Sequence, residues 1–190
     1  MNLITIFIAA AFVNNFIFYR FLGICPFLGV SKRTESAFSM GIAVTFVMVI
    51  ASIATWVVQH WLLLPLNLPF LRYAAFILII ASLVQIIEIY MRKKQKKLYE
   101  SFGIYLPLIT TNCAILGLVL LNVIKDYDFL ESTTFAIGAG FGFTMALVIM
   151  SGIRERLELA EIPEPLKGIP IALIVAGLLA LAFGGFSGML

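Results

Sequence analysis

The most reactive side chains in the sequence are two cysteines, Cys25 within LGICPFLGVS and Cys113 within TTNCAILGLV. A thiolate ligates soft metals or closes a disulfide, and either use requires partners within reach. Cys25-Pro26-Phe27-Leu28-Gly29 and Cys113-Ala114-Ile115-Leu116-Gly117 share the pattern Cys-x-x-Leu-Gly. Neither thiol lies in an exported, exposed loop, which argues against a disulfide. One cysteine in an apolar helix serves as a small buried hydrophobe. Two in repeat-related positions, each beside a helix breaker, point instead to a shared role. Two thiolates are half of the four ligands that tetrahedral iron–sulfur or zinc sites take. There is no Cys-x-x-Cys, and the single histidine, His60, is remote. A metal site here therefore needs another chain to supply two more ligands. The sequence holds no general acid–base pair, no Ser/His/Asp set and no nucleotide fingerprint.

The elements that must position these thiols are apolar. Of 190 residues, 62% are hydrophobic and only 12% charged, with a mean hydropathy of +1.08. That is too little polar surface for a soluble domain, so the composition indicates an all-α integral membrane protein forming one membrane domain over residues 1–190. A span needs about 20 apolar residues. Six segments qualify: Leu3 to Leu22, Ala37 to Trp61, Phe70 to Met91, Phe102 to Ile124, Ser132 to Ile153 and Gly168 to Phe186. The first has no basic leader and no small-residue cleavage site, and reads as a retained span. The net charge of +3 sits in short loops and gives no reason to invoke nucleic acid. Eleven of the thirteen Lys and Arg residues fall in or beside loops one, three and five, Arg20 among them; only Arg72 and Lys125 fall in loops two and four. The positive-inside rule then places the odd loops in the cytoplasm and both termini outside. The block MRKKQKK in loop three acts as a topology anchor, with docking of a soluble partner or anionic lipid as the sharper alternative.

That basic loop divides the chain into halves of about 1–95 and 96–190, three spans each. Gly41, Phe46 and Met48 match Gly138, Phe143 and Met145 at an offset of 97. An odd number of spans per half inverts the second half, the logic of inverted-repeat transporters. Cys113 is twelfth in a 23-residue apolar segment and so lies near mid-membrane. An unbroken helix from Leu3 would instead carry Cys25 about 33 Å, across the whole core. Gly23, Pro26 and Gly29 would interrupt a helix there. The expectation is a broken helix whose second part turns back into the membrane, with Pro107 and Thr110-Thr111-Asn112 as the matching disruption. Two half-helices then meet near the bilayer centre, each presenting one thiol. Asn112, beside Cys113, is a candidate donor to a metal-bound sulfur, and Gly117 completes the second motif.

Other polar residues have structural readings. Asn14 and Asn15 are interhelical hydrogen-bond glue, with bonding near a cofactor or to unwound backbone as the alternative. Glu88, one turn from Arg92, forms an interfacial ion pair. Gly138, Gly140 and Gly142 allow close helix packing. The glutamates of loop five read as a solvated amphipathic segment.

NNFIFYRFLGICPFLGVSK (Asn14 to Lys32) and LPLITTNCAILG (Leu106 to Gly117) resemble the signature segments of the A subunits of Rnf (Rsx) electron transport complexes. That family includes the E subunit of the sodium-pumping NADH:quinone reductase. The similarity runs over nearly the whole chain, and the Cys-Pro-Phe-Leu-Gly and Thr-Thr-Asn-Cys forms favour the Rnf branch. The resemblance implies a membrane subunit of a ferredoxin:NAD oxidoreductase that exports sodium or protons. It implies pairing with a related subunit of opposite topology, Rnf E, beside the B, C, D and G subunits, in a bacterial cytoplasmic membrane. It also implies one [2Fe-2S] cluster shared by that pair, with Cys25 and Cys113 as this chain's ligands. The competing reading is a small inverted-repeat transporter or channel with structural cysteines.

Overall fold

In the computed structural model, which describes residues 2–66, 69–94 and 106–186, the ordered elements are helical. We label them α1 (Leu3–Val13), α2 (Ile24–Val30), α3 (Thr34–Leu63), α4 (Arg72–Lys94), α5 (Leu106–Thr110), α6 (Cys113–Ile124), α7 (Phe129–Leu157) and α8 (Ile169–Gly184). By length and apolar composition α3, α7 and the Arg72–Ile89 part of α4 can each cross a membrane. Leu3–Val13, Leu108–Ile124 and α8 are shorter apolar helices. Residues 95–105, which include much of the basic middle loop and the start of the expected fourth span, lie outside the described residues. So does the Arg92 side chain of the expected Glu88 pair.

Local sequence explains where the helices begin. The turn after α6 leads into a capping box, in which the Asp128 N–H donates to Glu131 Oε2 at 3.4 Å. Asn112 caps α6, its Oδ1 accepting from the Ala114 N–H at 3.0 Å. Gly168, at φ +96°, and Pro170 in the first turn start α8.

The first half departs from expectation in an informative way. The span expected from Leu3 to Leu22 stops as a helix at Val13, and Asn14 to Gly23 form an irregular segment. Arg20 lies exposed within it rather than at a helix end. Of the three expected breakers only Gly23 sits at the break, with φ +80°. Pro26 and Gly29 lie inside α2. Pro26 falls in the first turn, where a missing N–H costs no intrahelical bond. A Cβ on Gly29 would meet only Leu108 Cδ1 at 3.8 Å, an ordinary contact. Gly117 likewise sits inside α6 rather than breaking it. In the second half the break falls at Thr111-Asn112, as the polar run suggests, whereas Pro107 lies within α5.

The centre of the molecule is the crossing of α3 and α7. Here Gly41 faces Thr144 and Gly140 faces Thr45, and a Cβ on either glycine would lie 2.5 Å from the threonine methyl. Thr45 Oγ1 donates to Gly41 O at 2.7 Å and Thr144 Oγ1 to Gly140 O at 2.9 Å, and the two hydroxyls are 3.3 Å apart. These reciprocal contacts pair residues 99 apart in α3 and α7, whereas Gly138, matched to Gly41 in sequence, faces α1. Toward one end Ser52 and Ser132 hydroxyls meet at 2.8 Å, and toward the other Ser151 donates to Thr34 at 3.3 Å. Small residues let the backbones approach, and the hydroxyls bond where lipid offers nothing. The other face of α7 packs on α1: Cβ atoms on Gly138 and Gly142 would fall 2.8 Å from Phe7 O and 2.5 Å from Ala11 O.

Backbone cannot yield as a side chain can. Gly142→Ala is therefore expected to cost about 1–3 kcal/mol through overpacking. Gly177→Ala, with nothing within 4 Å of its Cβ, is expected to be neutral or slightly stabilising. Thermal unfolding of the detergent-solubilised protein, comparing the two variants, checks this.

Candidate functional site

The two cysteines occupy the first turns of α2 and α6, each just beyond a break. Both are free and exposed on the chain's surface. The Gly23 N–H, two residues before Cys25, donates to Cys113 Sγ at 2.9 Å. This bond joins the thiol-bearing turn of one half to that of the other. The sulfur at the first turn of the 12-residue α6 thus accepts a backbone N–H from the opposite half of the chain.

Gly23 is fixed here by lack of room. A Cβ would sit 2.6 Å from Phe143 Cε2 and 3.3 Å from both Ala114 Cβ and Asn112 Oδ1. Only glycine combines that closeness with a left-handed φ. Gly117 serves the same loop from behind, since a Cβ there would meet Leu22 Cδ1 at 2.5 Å. Asn112 is 5% exposed; its Oδ1 caps α6, while its Nδ2 is buried with no hydrogen-bond partner. A buried amide donor beside a thiol is costly to leave unmet and suits an electron-rich neighbour. The structure thus gathers Gly23, Asn112 and Cys113, with Cys25 following in the same turn. Pro26 is buried within α2, and Gly29 stands apart beside Leu108.

Two further residues hold this arrangement, Asn15, which the sequence offers as glue or as a partner for unwound backbone, and Arg154, which it does not single out. Asn15 is fully buried. Its Nδ2 donates to Ala11 O at 3.2 Å and Gly142 O at 2.9 Å, and its Oδ1 accepts from the Ile17 and Phe18 N–H groups at 3.0 and 3.4 Å. It thereby does both things foreseen as alternatives, gluing helices and satisfying unwound backbone, whereas Asn14 is only half-buried. Arg154, which sequence places among the topology charges of loop five, donates to Leu28 O at 2.7 Å and Ser31 Oγ at 2.9 Å. It closes the C-terminal end of α2 with a positive charge, where free carbonyls and the helix dipole favour one. Its one sequence signal is its position, the first charge after an apolar span. Glu155 of the same turn accepts from Thr34 N and Oγ1 at 2.9 and 2.7 Å and caps α3, so part of loop five is helix rather than a solvated segment.

Among the described residues no three His, Cys, Asp or Glu side chains gather to hold a metal. The donor set on this chain is two thiols with hydrogen-bond donors around them. That fits an iron–sulfur cluster completed by two ligands from a second chain.

Comparison with known proteins places the site in context. The family described as "Rnf-Nqr subunit, membrane protein" matches residues 3–190. A relative from Acetobacterium woodii, named as the A subunit of the Na(+)-translocating ferredoxin:NAD(+) oxidoreductase complex, is 58% identical over all of this chain and 98% of its own length. The A subunit of the ion-translocating oxidoreductase complex from Syntrophotalea carbinolica is 57% identical over 99% of this chain and 97% of its own. The protein of that name from Escherichia coli K12 is 52% identical over 97% of this chain and 95% of its own.

Replacing Asn15 with leucine strands two carbonyls and two N–H groups in a buried, apolar setting. At about 1–3 kcal/mol for each group left unmet, Asn15→Leu is expected to abolish stable folding, whereas Asn14→Leu is expected to be tolerated. Yield and monodispersity of the purified protein after detergent extraction separate the two outcomes.

Proposed function

The chain belongs to the Rnf-Nqr family of membrane subunits, and we propose that it is the A-type subunit of an ion-translocating ferredoxin:NAD oxidoreductase. In this reading it carries electrons across the membrane through a [2Fe-2S] cluster held jointly with a related subunit. The observation that carries the reading is the Gly23 N–H bond to Cys113 Sγ, which ties one exposed thiol to the backbone two residues before the other. The full-length identity to proteins named as the A subunits of such complexes supports it.

Cys25 and Cys113 are the ligands from this chain. The other two come from the paralogous subunit of opposite topology, Rnf E, docked over the exposed cysteine face; the B, C, D and G subunits and membrane lipid complete the surroundings. When bound, the cluster supplies one-electron redox chemistry at low dielectric. Gly23 and Asn112 offer N–H groups to sulfur, and such donors set the potential of iron–sulfur centres. Asn15 and Arg154 fix the two ends of the segment that bears Cys25.

We read the architecture as six spans in two inverted three-helix repeats, about 1–95 and 96–190, with broken half-helices around the cysteines. The reciprocal Gly41–Thr144 and Gly140–Thr45 contacts support this, as does a break before each thiol-bearing helix. The bacterial relatives favour a cytoplasmic membrane location, and the distribution of Lys and Arg favours both termini outside and the basic loops in the cytoplasm.

Cys25→Ser and Cys113→Ser are each expected to remove the [2Fe-2S] EPR signal from the purified complex and to abolish ferredoxin-dependent NAD reduction. A signal and iron content equal to wild type would favour structural cysteines in a transporter instead. Asn112→Asp keeps the helix cap but replaces the inward donor with an acceptor. It is expected to lower the cluster's midpoint potential in an EPR-monitored redox titration.

A further inference from the structure

A cavity of about 480 Å³ opens where α3 ends, α4 begins and α6 turns into α7, at the opposite end of α6 from Cys113. Part of its wall is the π-helical turn Gln59–Leu63. Such turns are rare and concentrate at functional sites. Gln59 is 7% exposed, and its Oε1 has no hydrogen-bond partner. Asn122 is 6% exposed; its Nδ2 donates to Ser52 Oγ at 2.9 Å while its Oδ1 is unpartnered. Two buried amide oxygens thus line one cavity with their acceptor capacity unmet.

Charge decides what they would accept. Asp126 and Asp128 line the cavity against one guanidinium, Arg72, whose Nε is also buried and unpartnered. An anion would meet two carboxylates and two amide oxygens. A cation would meet those same groups as ligands, opposed by a single positive charge. Amide and hydroxyl oxygens are hard donors that suit small cations stripped of part of their water. Because the amides are neutral and Arg72 opposes the ion, binding stays weak enough for release, as conduction requires.

We propose that this cavity is a transit site for a monovalent cation, sodium, with Gln59 Oε1 and Asn122 Oδ1 as ligands and Asp126 and Asp128 supplying the field. The site lies on the side carrying Arg72 and Lys125, opposite the basic loops, and serves release of the exported ion. This rests on the ion-translocating reading above.

The test uses the whole complex in proteoliposomes, with sodium chloride titrated against choline chloride at constant ionic strength. The readouts are ferredoxin-driven NAD reduction, sodium uptake and the [2Fe-2S] EPR signal. Gln59→Leu removes a ligand and is expected to raise the half-saturating sodium concentration about tenfold, a difference of 1.4 kcal/mol. Gln59→Glu adds a charge and is expected to lower it, and it decides the question if Gln59→Leu fails to assemble. Half-saturation within twofold of wild type for the variants that assemble overturns the proposal, as does a wild-type complex with no sodium dependence. With the EPR signal intact, the first of these outcomes refutes the cavity alone and leaves the electron-carrying role standing. Loss of the signal in the cysteine variants is scored separately.

Discussion

A chain that leaves its helix inside a bilayer must satisfy each freed N–H and C=O from within the protein, because lipid offers no partner. The segment from Asn14 to Gly23 does this chiefly through one side chain. Asn15 fills its donors with Ala11 O and Gly142 O and its acceptor with two N–H groups of the unwound stretch. Backbone bonds from Tyr19 N to Asn15 O and from Leu22 N to Phe16 O complete the turn. The left-handed Gly23, the N–H aimed at Cys113 and the short α2 that places Cys25 all depend on this one asparagine. Arg154 secures the far end of the same unit, so a seven-residue helix too short to be stable alone is held at both ends.

The second constraint is proximity. Asn15 reaches Gly142 O only because α7 lies against α1 without intervening side chains, which Gly138 and Gly142 permit. The opposite face of α7 meets α3 through Gly140 and Gly41, each seated under a threonine of the other helix. α7 is therefore the post on which both the broken segment and the long helix of the first half are mounted. Phe46, Ile42, Leu178 and Leu181 point outward, while at the α3–α7 and α1–α7 contacts small or hydroxylated residues point inward, between buried large ones such as Phe16, Met48 and Phe143. Close contacts of small and hydroxylated residues are the arrangement expected where helix association relies on packing and hydrogen bonds rather than on water exclusion.

Much of this is legible in the sequence. The break before each cysteine-bearing helix and the packing role of the glycines both follow from residue types and spacing. The errors have physical reasons. Proline and glycine read as breakers because their propensity is low in a helix interior, yet Pro26 sits in the first turn, where that penalty vanishes, and Gly29 is carried by its neighbours. The break is legible instead in Asn14-Asn15, polar residues in an apolar run. Which glycine of α7 meets Gly41 is hidden because Gly138 and Gly140 read alike in sequence, and only the Gly-x-x-x-Thr pairing across the crossing distinguishes them. Arg154 stays hidden because its partners, Leu28 O and Ser31, lie more than 120 residues away in sequence. The unmet amides of Gln59 and Asn122 carry no sequence signal, since burial decides their meaning.

The bond from Asn15 to Gly142 spans 127 positions. When a ribosome has delivered the first half to the membrane, the carbonyl that Asn15 needs has not yet been synthesised. The irregular segment must wait in a hydrated or protein-lined compartment until α7 arrives, because released into lipid it would carry unpaired amides. Biogenesis thus proceeds out of chain order: the earliest breach in the helix closes only after a late helix is inserted, and the thiol-bearing turn at Cys25 takes its final place after that. The contact between the Gly23 N–H and Cys113 is consequently a late event, available only to a chain whose second half has already been made.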